Sequence, residues 1–391
     1  MIQANESIEP SRRAWLSVAA YAAMFVFGIV MALLGAVLPV LSEQLDFDLA
    51  RAGNLFFTLN FAVMLSMLGI GPLMDRAGKR PVLMAGVFIV VVALLLIAGA
   101  SSYSTLLIAV FLLGIGGAAL NGASNMAITD LYTDPRLKSS AMNLLGVFFG
   151  IGASFLPLVI GSLLKSVGLT NILLVAVGLS VLPGILFLGV RFPAAGQAQG
   201  FRLAEAGQVI RNPLVLLFGF VLFFQSGSEF IISGYTSTFL RRDLGSSISS
   251  ASCLLAVYWG CFVVGRIIAS RLVLKVTSTT LVLASALGSA LGAGLLAFSP
   301  TREVATLALA IIGLSFASIF PTTLSQAAST FHSYLGTVFG MLFAIALIGG
   351  MTMPWAVGQI ADSHGLRYGL ALVAGNFIMI FVLQLIILRR R

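Results

Sequence analysis

Gly71-Pro72-Leu73-Met74-Asp75-Arg76-Ala77-Gly78-Lys79-Arg80 packs four charges into a very short connection between two apolar runs, near 51–73 and 81–100. A tight, charged link between two membrane spans needs its charges in headgroup water and its glycines where backbones come close. The segment therefore predicts a helical hairpin that crosses a bilayer twice. Asp75 and Arg76 read as a gate at the membrane rim, where Asp75 can cap a neighbouring helix N-terminus and pair with a basic residue across the molecule. Arg136, in Asp134-Pro135-Arg136, is the candidate partner.

Composition extends this reading to the whole chain. Of 391 residues, 59% are hydrophobic and 9% charged, with mean hydropathy +1.07. Soluble domains carry about 25% charged residues, so this is an integral membrane protein. A span needs about 20 apolar residues, and twelve with short loops use up the length, leaving no room for an enzyme head or nucleic-acid module. Spans are expected near 15–41, 51–73, 81–100, 104–130, 137–164, 170–190, 211–240, 248–272, 279–298, 303–328, 333–359 and 366–388. The fold class is all-α: twelve transmembrane helices in two pseudo-symmetric six-helix bundles. The expected division is a cytoplasmic tail at 1–14, a first bundle at 15–190, a cytoplasmic linker at 191–210 and a second bundle at 211–391.

The formal net charge of +9 reports topology. With the N-terminus cytoplasmic, sixteen of the 22 Lys and Arg residues fall on the inner side, among them Arg12, Arg13, Arg76, Lys79, Arg80, Arg136, Lys138 and Arg389 to Arg391. Arg51, Lys165, Arg241, Arg242, Arg302 and Arg367 fall outside. That asymmetry places both termini in the cytoplasm of a cell (inner) membrane protein, and implies no nucleic-acid partner. The first apolar run is too long for a cleaved signal, so it reads as a retained helix. Cys253 and Cys261 read as small apolar packers.

At an offset of 199 residues, Gly28 pairs with Gly227, Gly35 with Gly234, Gly114 with Gly313 and Gly150 with Gly349. Two parallel halves related by an axis along the membrane normal explain such a repeat.

Ionisable groups at membrane depth are costly and read as functional. Glu229 is the one acid placed deep in a span. With Gln225, Ser233 and Thr236 it makes a polar stripe on helix 7. Helix 4 offers Gly114, Ala118, Asn121 and Asn125 on one face, and asparagine can satisfy sugar hydroxyls in pairs. Helix 10 carries Ser315, Ser318, Thr322, Ser325 and Gln326 around a kink expected near Pro321. Tyr258 and Trp259 are candidate aromatic walls, and Tyr21, Asn60 and Trp355 can line the same space. His332 and His364 have no companions at ligand spacing. No metal site, nucleophile–base set or phosphate loop is visible, so no cofactor is expected.

The 71–80 stretch, G-x-x-x-D-R-x-G-x-R-R in form, resembles the loop between helices 2 and 3 of the major facilitator superfamily. Three further stretches are similar to the branch that contains the fucose permease and related sodium–glucose transporters. These are Gly116-Gly-Ala-Ala-Leu-Asn121-Gly-Ala-Ser-Asn125, Phe224-Gln-Ser-Gly227-Ser-Glu229 with Tyr235, and Gly150-Ile-Gly152-Ala-Ser-Phe-Leu-Pro157. Two departures stand out. The branch's helix 4 acid is Asn121 here, and the position four before Pro39, acidic in the fucose permease, is Gly35. Neither titrates, which leaves Glu229 as the coupling residue, or else a uniporter.

The resemblance implies a secondary transporter for a small polar solute, best a sugar, with H+ or Na+ coupled through Glu229. The site expected is Asn121, Asn125, Gln225 and Glu229 with Tyr258 and Trp259, and a monomer suffices. The rivals are a drug or lipophile exporter, an organic-anion porter and a non-translocating solute sensor. The drug exporter usually has a G-P-x-x-G-G run that 152–161 lacks. The anion porter needs an arginine in the cavity, and Arg266 is placed away from it, toward the cytoplasmic end of helix 8.

Overall fold

In the computed structural model, residues 10–132, 135–189, 211–273, 275–331 and 335–390 are described, and nearly all of them are helical. The expected linker at 191–210 and His332 lie outside the described residues. The helices are α1 (Pro10–Gln44), α2 (Leu49–Ala77), α3 (Lys79–Ala98) and α4 (Tyr103–Leu131), then one continuous run at Pro135–Leu188. After it come α7 (Pro213–Arg242), α8 (Ile248–Leu272), α9 (Ser278–Ala297), α10 (Arg302–Phe316), α11 (Ile319–Thr330), α12 (Leu335–His364) and α13 (Leu366–Arg390).

The 54-residue run cannot be one crossing. At 1.5 Å per residue it would reach about 80 Å, against a hydrocarbon core of about 30 Å. It breaks at Gly168, where φ of 78° and ψ of 160° suit only glycine. This divides it into α5 (135–167) and α6 (169–188). The chain doubles back there, because Arg80 Nη2 at the start of α3 donates to the Leu188 carbonyl at the end of α6, at 3.0 Å.

The opposite happens at α10 and α11, which make one crossing with an interruption at 317–318. Pro321 is the cause. It has no N–H, and its ring clashes with the carbonyl four residues earlier, at Ala317. The kink expected near Pro321 therefore appears one turn before it.

Counting α5 and α6 apart and α10 with α11 together gives twelve crossings among the described residues, so α13 ends on the face where α1 begins. We call that the terminal face and the opposite one the far face. Helix α1 begins at Pro10, so the first span starts earlier than the Trp15 boundary expected. Thirty-five residues span about 52 Å, more than the hydrocarbon core needs.

The internal repeat is visible in the packing. A Cβ on Gly114 of α4 would lie 2.5 Å from the Leu59 carbonyl oxygen of α2. One on Gly313 of α10 would lie 2.5 Å from the Tyr258 carbonyl oxygen of α8. Positions 59 and 258 are themselves 199 apart. Gly28 of α1 likewise sits on the backbone of α5 at Phe149 and Ala153, and Gly227 of α7 on α12 at Gly349 and Met353. Small residues let backbones touch where lipid supplies no hydrophobic drive between helices. The same helix contact is thus built twice, once in each half.

The halves meet along α2–α12, α5–α8 and α1–α7. At the far face this seam is closed. Gly35 of α1 abuts the Ser233 carbonyl of α7, and Gly53 of α2 abuts Trp355 and Gly358 of α12. Polar bonds cross it as well: Arg241 Nε to Glu43 Oε1 at 3.1 Å, Trp355 Nε1 to Asn54 Oδ1 at 3.1 Å, and Gln359 Nε2 to the Ala50 carbonyl at 3.3 Å. All three are exposed. Nearer the terminal face on α2, a Cβ on the exposed Gly69 would meet nothing within 4 Å.

Candidate functional site

The loop of the opening motif is reduced to one residue. Gly78 both ends α2 and begins α3, with φ of 84°, a backbone shape that L side chains rarely adopt. The four charges were expected in headgroup water, and Lys79 departs from this. It is 3% exposed, and its Nζ pairs with Asp130 near the C-terminal end of α4. Burial of the ammonium is tolerable only because a counter-charge is built beside it. Arg80 holds Leu188, and Arg76 is exposed.

The pair of basic residues therefore staples α3 to α4 and to α6 inside one half. The side chains of Asp75 and Arg136, and the environment of Gly71, lie outside the described residues. Asp130 was not foreseen. The signal was there, since a carboxylate in the last turn of a helix opposes its dipole and needs a cation. Asp130→Asn is expected to cost about 3 kcal/mol by leaving Lys79 buried and unpaired. Lowered Tm in detergent would show this, with Lys79→Met in the same chain restoring most of the loss.

The second cluster is built on α7 and α8. Asn212 caps α7 by accepting from Leu214 N at 3.0 Å, with Pro213 in the first turn. That start fixes the rotation of α7 and sets Gln225 and Glu229 one above the other near its middle. Gln225 Nε2 donates to Glu229 Oε2 at 3.0 Å. Gln225 is buried and Glu229 partly so. Arg266 and Tyr258 of α8 lie near enough for their charges to act on Glu229.

This corrects the sequence reading of Arg266. Although its backbone lies toward the terminal end of α8, its side chain turns inward, close enough for its charge to act on Glu229 but without a direct ion pair among the described residues. Its guanidinium stands over the Phe262 ring at 4.8 Å and seats against Gly146 of α5. It thus crosses from one half to the other.

Tyr258 and Trp259 are at most 1% exposed, so in this conformation they are enclosed and do not face open solvent. Trp259 packs edge-on to Phe149 of α5 at 5.9 Å and to Tyr258 at 5.1 Å.

On α4, Asn125 Nδ2 donates to the Asn121 carbonyl at 2.8 Å and to its Oδ1 at 2.7 Å. Both asparagines are partly exposed. No hydrogen bond joins them to the α7–α8 cluster among the described residues. Tyr21 stacks on Phe148 at 5.1 Å, Trp355 belongs to the far-face seam, and Asn60 Nδ2 donates to Phe56 O.

The hydroxyl face of α10 and α11 bonds to its neighbours, through Ser285 with Ser318 at 2.6 Å and Gln384 Nε2 to Gln326 Oε1 at 2.9 Å. Among the described residues no group of His, Cys, Asp and Glu could hold a metal. A groove of about 600 Å³ between α12 and α13, lined by Gln359, Ser363, His364 and Tyr368, shares no residue with either cluster.

The architecture is two six-helix halves with repeated glycine contacts, and charged residues flank the one-residue turn at Gly78 between the second and third spans. The sequence profile of the Major Facilitator Superfamily matches residues 20–354. The chain belongs to the Major Facilitator Superfamily. As a member it is a multi-pass membrane transporter and not an enzyme.

Among superfamily relatives it is similar to the MFS-type transporter YfkL of Bacillus subtilis, 24% identical over 89% of each chain. It is also similar to the glucose/mannose transporter GlcP of Bacillus subtilis, 25% identical over 86% of each chain. Its fold matches the crystal structure of the E. coli fucose:proton symporter FucP with a TM-score of 0.69, at 18% identity, over 96% of this chain and 99% of that one.

Proposed function

We propose that this superfamily member is a secondary transporter for a small polar solute of the sugar class, with Glu229 as the residue that couples flux to H+ or Na+. The observation that carries the reading is the Gln225–Glu229 pair at mid-length of α7, beside the seam between the halves. A carboxylate at membrane depth is costly and is kept where an ion or a solute uses it. The similarity to a glucose/mannose transporter over most of both chains favours a sugar.

In this reading the halves, 15–190 and 211–391, rock about a site shared between them, with 191–210 as the connection. Asn121 and Asn125 supply contacts from the first half, and Gln225 and Glu229 from the second. Both termini face the cytoplasm of a cell (inner) membrane, as the distribution of basic residues favours, and a monomer is sufficient.

The deciding experiment is a competitive uptake screen in proteoliposomes across sugars, nucleosides and carboxylates, with and without a proton or sodium gradient. Gradient-driven uptake competed by a polyhydroxy solute is expected. Efflux of hydrophobic cations, or solute binding with no counterflow, would overturn the reading. Asn125→Ala is expected to weaken binding of the transported solute about tenfold, the loss of about one to two good hydrogen bonds. Calorimetry giving the parent affinity would remove Asn125 from the site.

A further inference from the structure

The α7–α8 cluster buries polar atoms that the protein leaves unsatisfied. Arg266 Nε, the Tyr258 hydroxyl and Trp259 Nε1 are buried with no partner among the described residues. Gln225 Oε1, an acceptor, is unpartnered beside them. Glu229 does not fill the gap, because no carboxylate oxygen lies within 4.0 Å of the Arg266 nitrogens among the described residues.

Buried polar groups are normally paired, and a buried guanidinium above all. A planar guanidinium edge fits a carboxylate with two parallel bonds. Room for its seat is kept by Gly146, since any side chain there would meet the guanidinium.

We infer that the solute is a polyhydroxylated carboxylate, a sugar acid, whose carboxylate is held by Arg266 and whose hydroxyls are held by Tyr258 and Gln225. The inference rests on the transporter reading above and narrows its solute class. It also supplies a reason for coupling. An ionised Glu229 repels a carboxylate arriving at Arg266, so the solute enters when a cation occupies Glu229. Solute charge and driving ion then travel together.

The test is uptake by proteoliposomes of D-gluconate and D-glucuronate, compared with D-glucose and benzoate, for the parent, Arg266→Lys and Arg266→Gln. The parent is expected to take up at least one sugar acid about tenfold or more faster than glucose. Arg266→Gln is expected to lose that uptake about a hundredfold, and Arg266→Lys, which keeps the charge but not the fork, to lie between. As a readout independent of the variants, the sugar acid should raise the parent's Tm where glucose does not.

Equal uptake of the sugar acid by the parent and Arg266→Gln, or faster uptake of glucose than of either sugar acid by the parent, overturns the inference and leaves the sugar transporter intact. Uptake of benzoate without either sugar acid overturns it by removing the hydroxyl requirement. No flux of any probe, or of any solute in the wider screen, sinks the transporter reading itself.

Discussion

Glu229→Gln is expected to abolish accumulation of solute against its gradient while solute exchange across the membrane continues. The substitution keeps the side chain's size and its contact with Gln225 but removes the group that a proton or sodium ion can occupy. Without that group nothing ties the ion gradient to the solute, so the internal concentration should settle at about the external one. Counterflow in preloaded proteoliposomes should persist, because the halves still close on the solute. Accumulation at the parent level under an imposed gradient would remove Glu229 from the coupling role.

The second large effect is expected at Gly35, where α1 lies directly on the Ser233 carbonyl of α7. Gly35→Ala puts a methyl group into backbone that has no rotamer with which to move aside. Overpacking of this kind costs about 1–3 kcal/mol. It falls only on the conformation in which the far-face seam is shut, so it shifts the population away from that state by about 5- to 150-fold. A cysteine introduced at Ser233 should become more reactive to a membrane-impermeant thiol reagent, and net uptake should fall in proportion. Gly69→Ala is the control, since a methyl there meets nothing within 4 Å. Equal behaviour of the two variants would show that the contact at Gly35 does not report the seam.

Much of this architecture could be read from the chain. Helical spans leave a strong trace because lipid forces about twenty apolar residues into each, and α8 falls on the residues expected for it, 248–272. Two of the four offset pairs, Gly114 with Gly313 and Gly28 with Gly227, also recur as matching helix contacts, because close helix approach needs a small residue on both copies.

Legibility failed where one residue acts through another far away in sequence. Lys79 read as a surface charge, because its partner Asp130 is 51 positions on, at the end of another helix. Arg266 read as remote from the interior, because its depth was judged from its place along α8. A long side chain reaches several ångströms from that place, and Gly146 on a third helix gives it room to do so. The interruption at 317–318 was displaced by a turn because proline acts on the carbonyl behind it.

The far-face seam combines close glycine contacts with three solvent-facing bonds from Glu43, Asn54 and Ala50 to Arg241, Trp355 and Gln359. Water can replace each of those bonds when they part, so each adds on the order of 1 kcal/mol or less to the cost of opening. Lys79 with Asp130, by contrast, forms a link inside one half that has no reason to break during a cycle. In the proposed cycle, opening the far face breaks only these weak fastenings, while the half they release stays stiff.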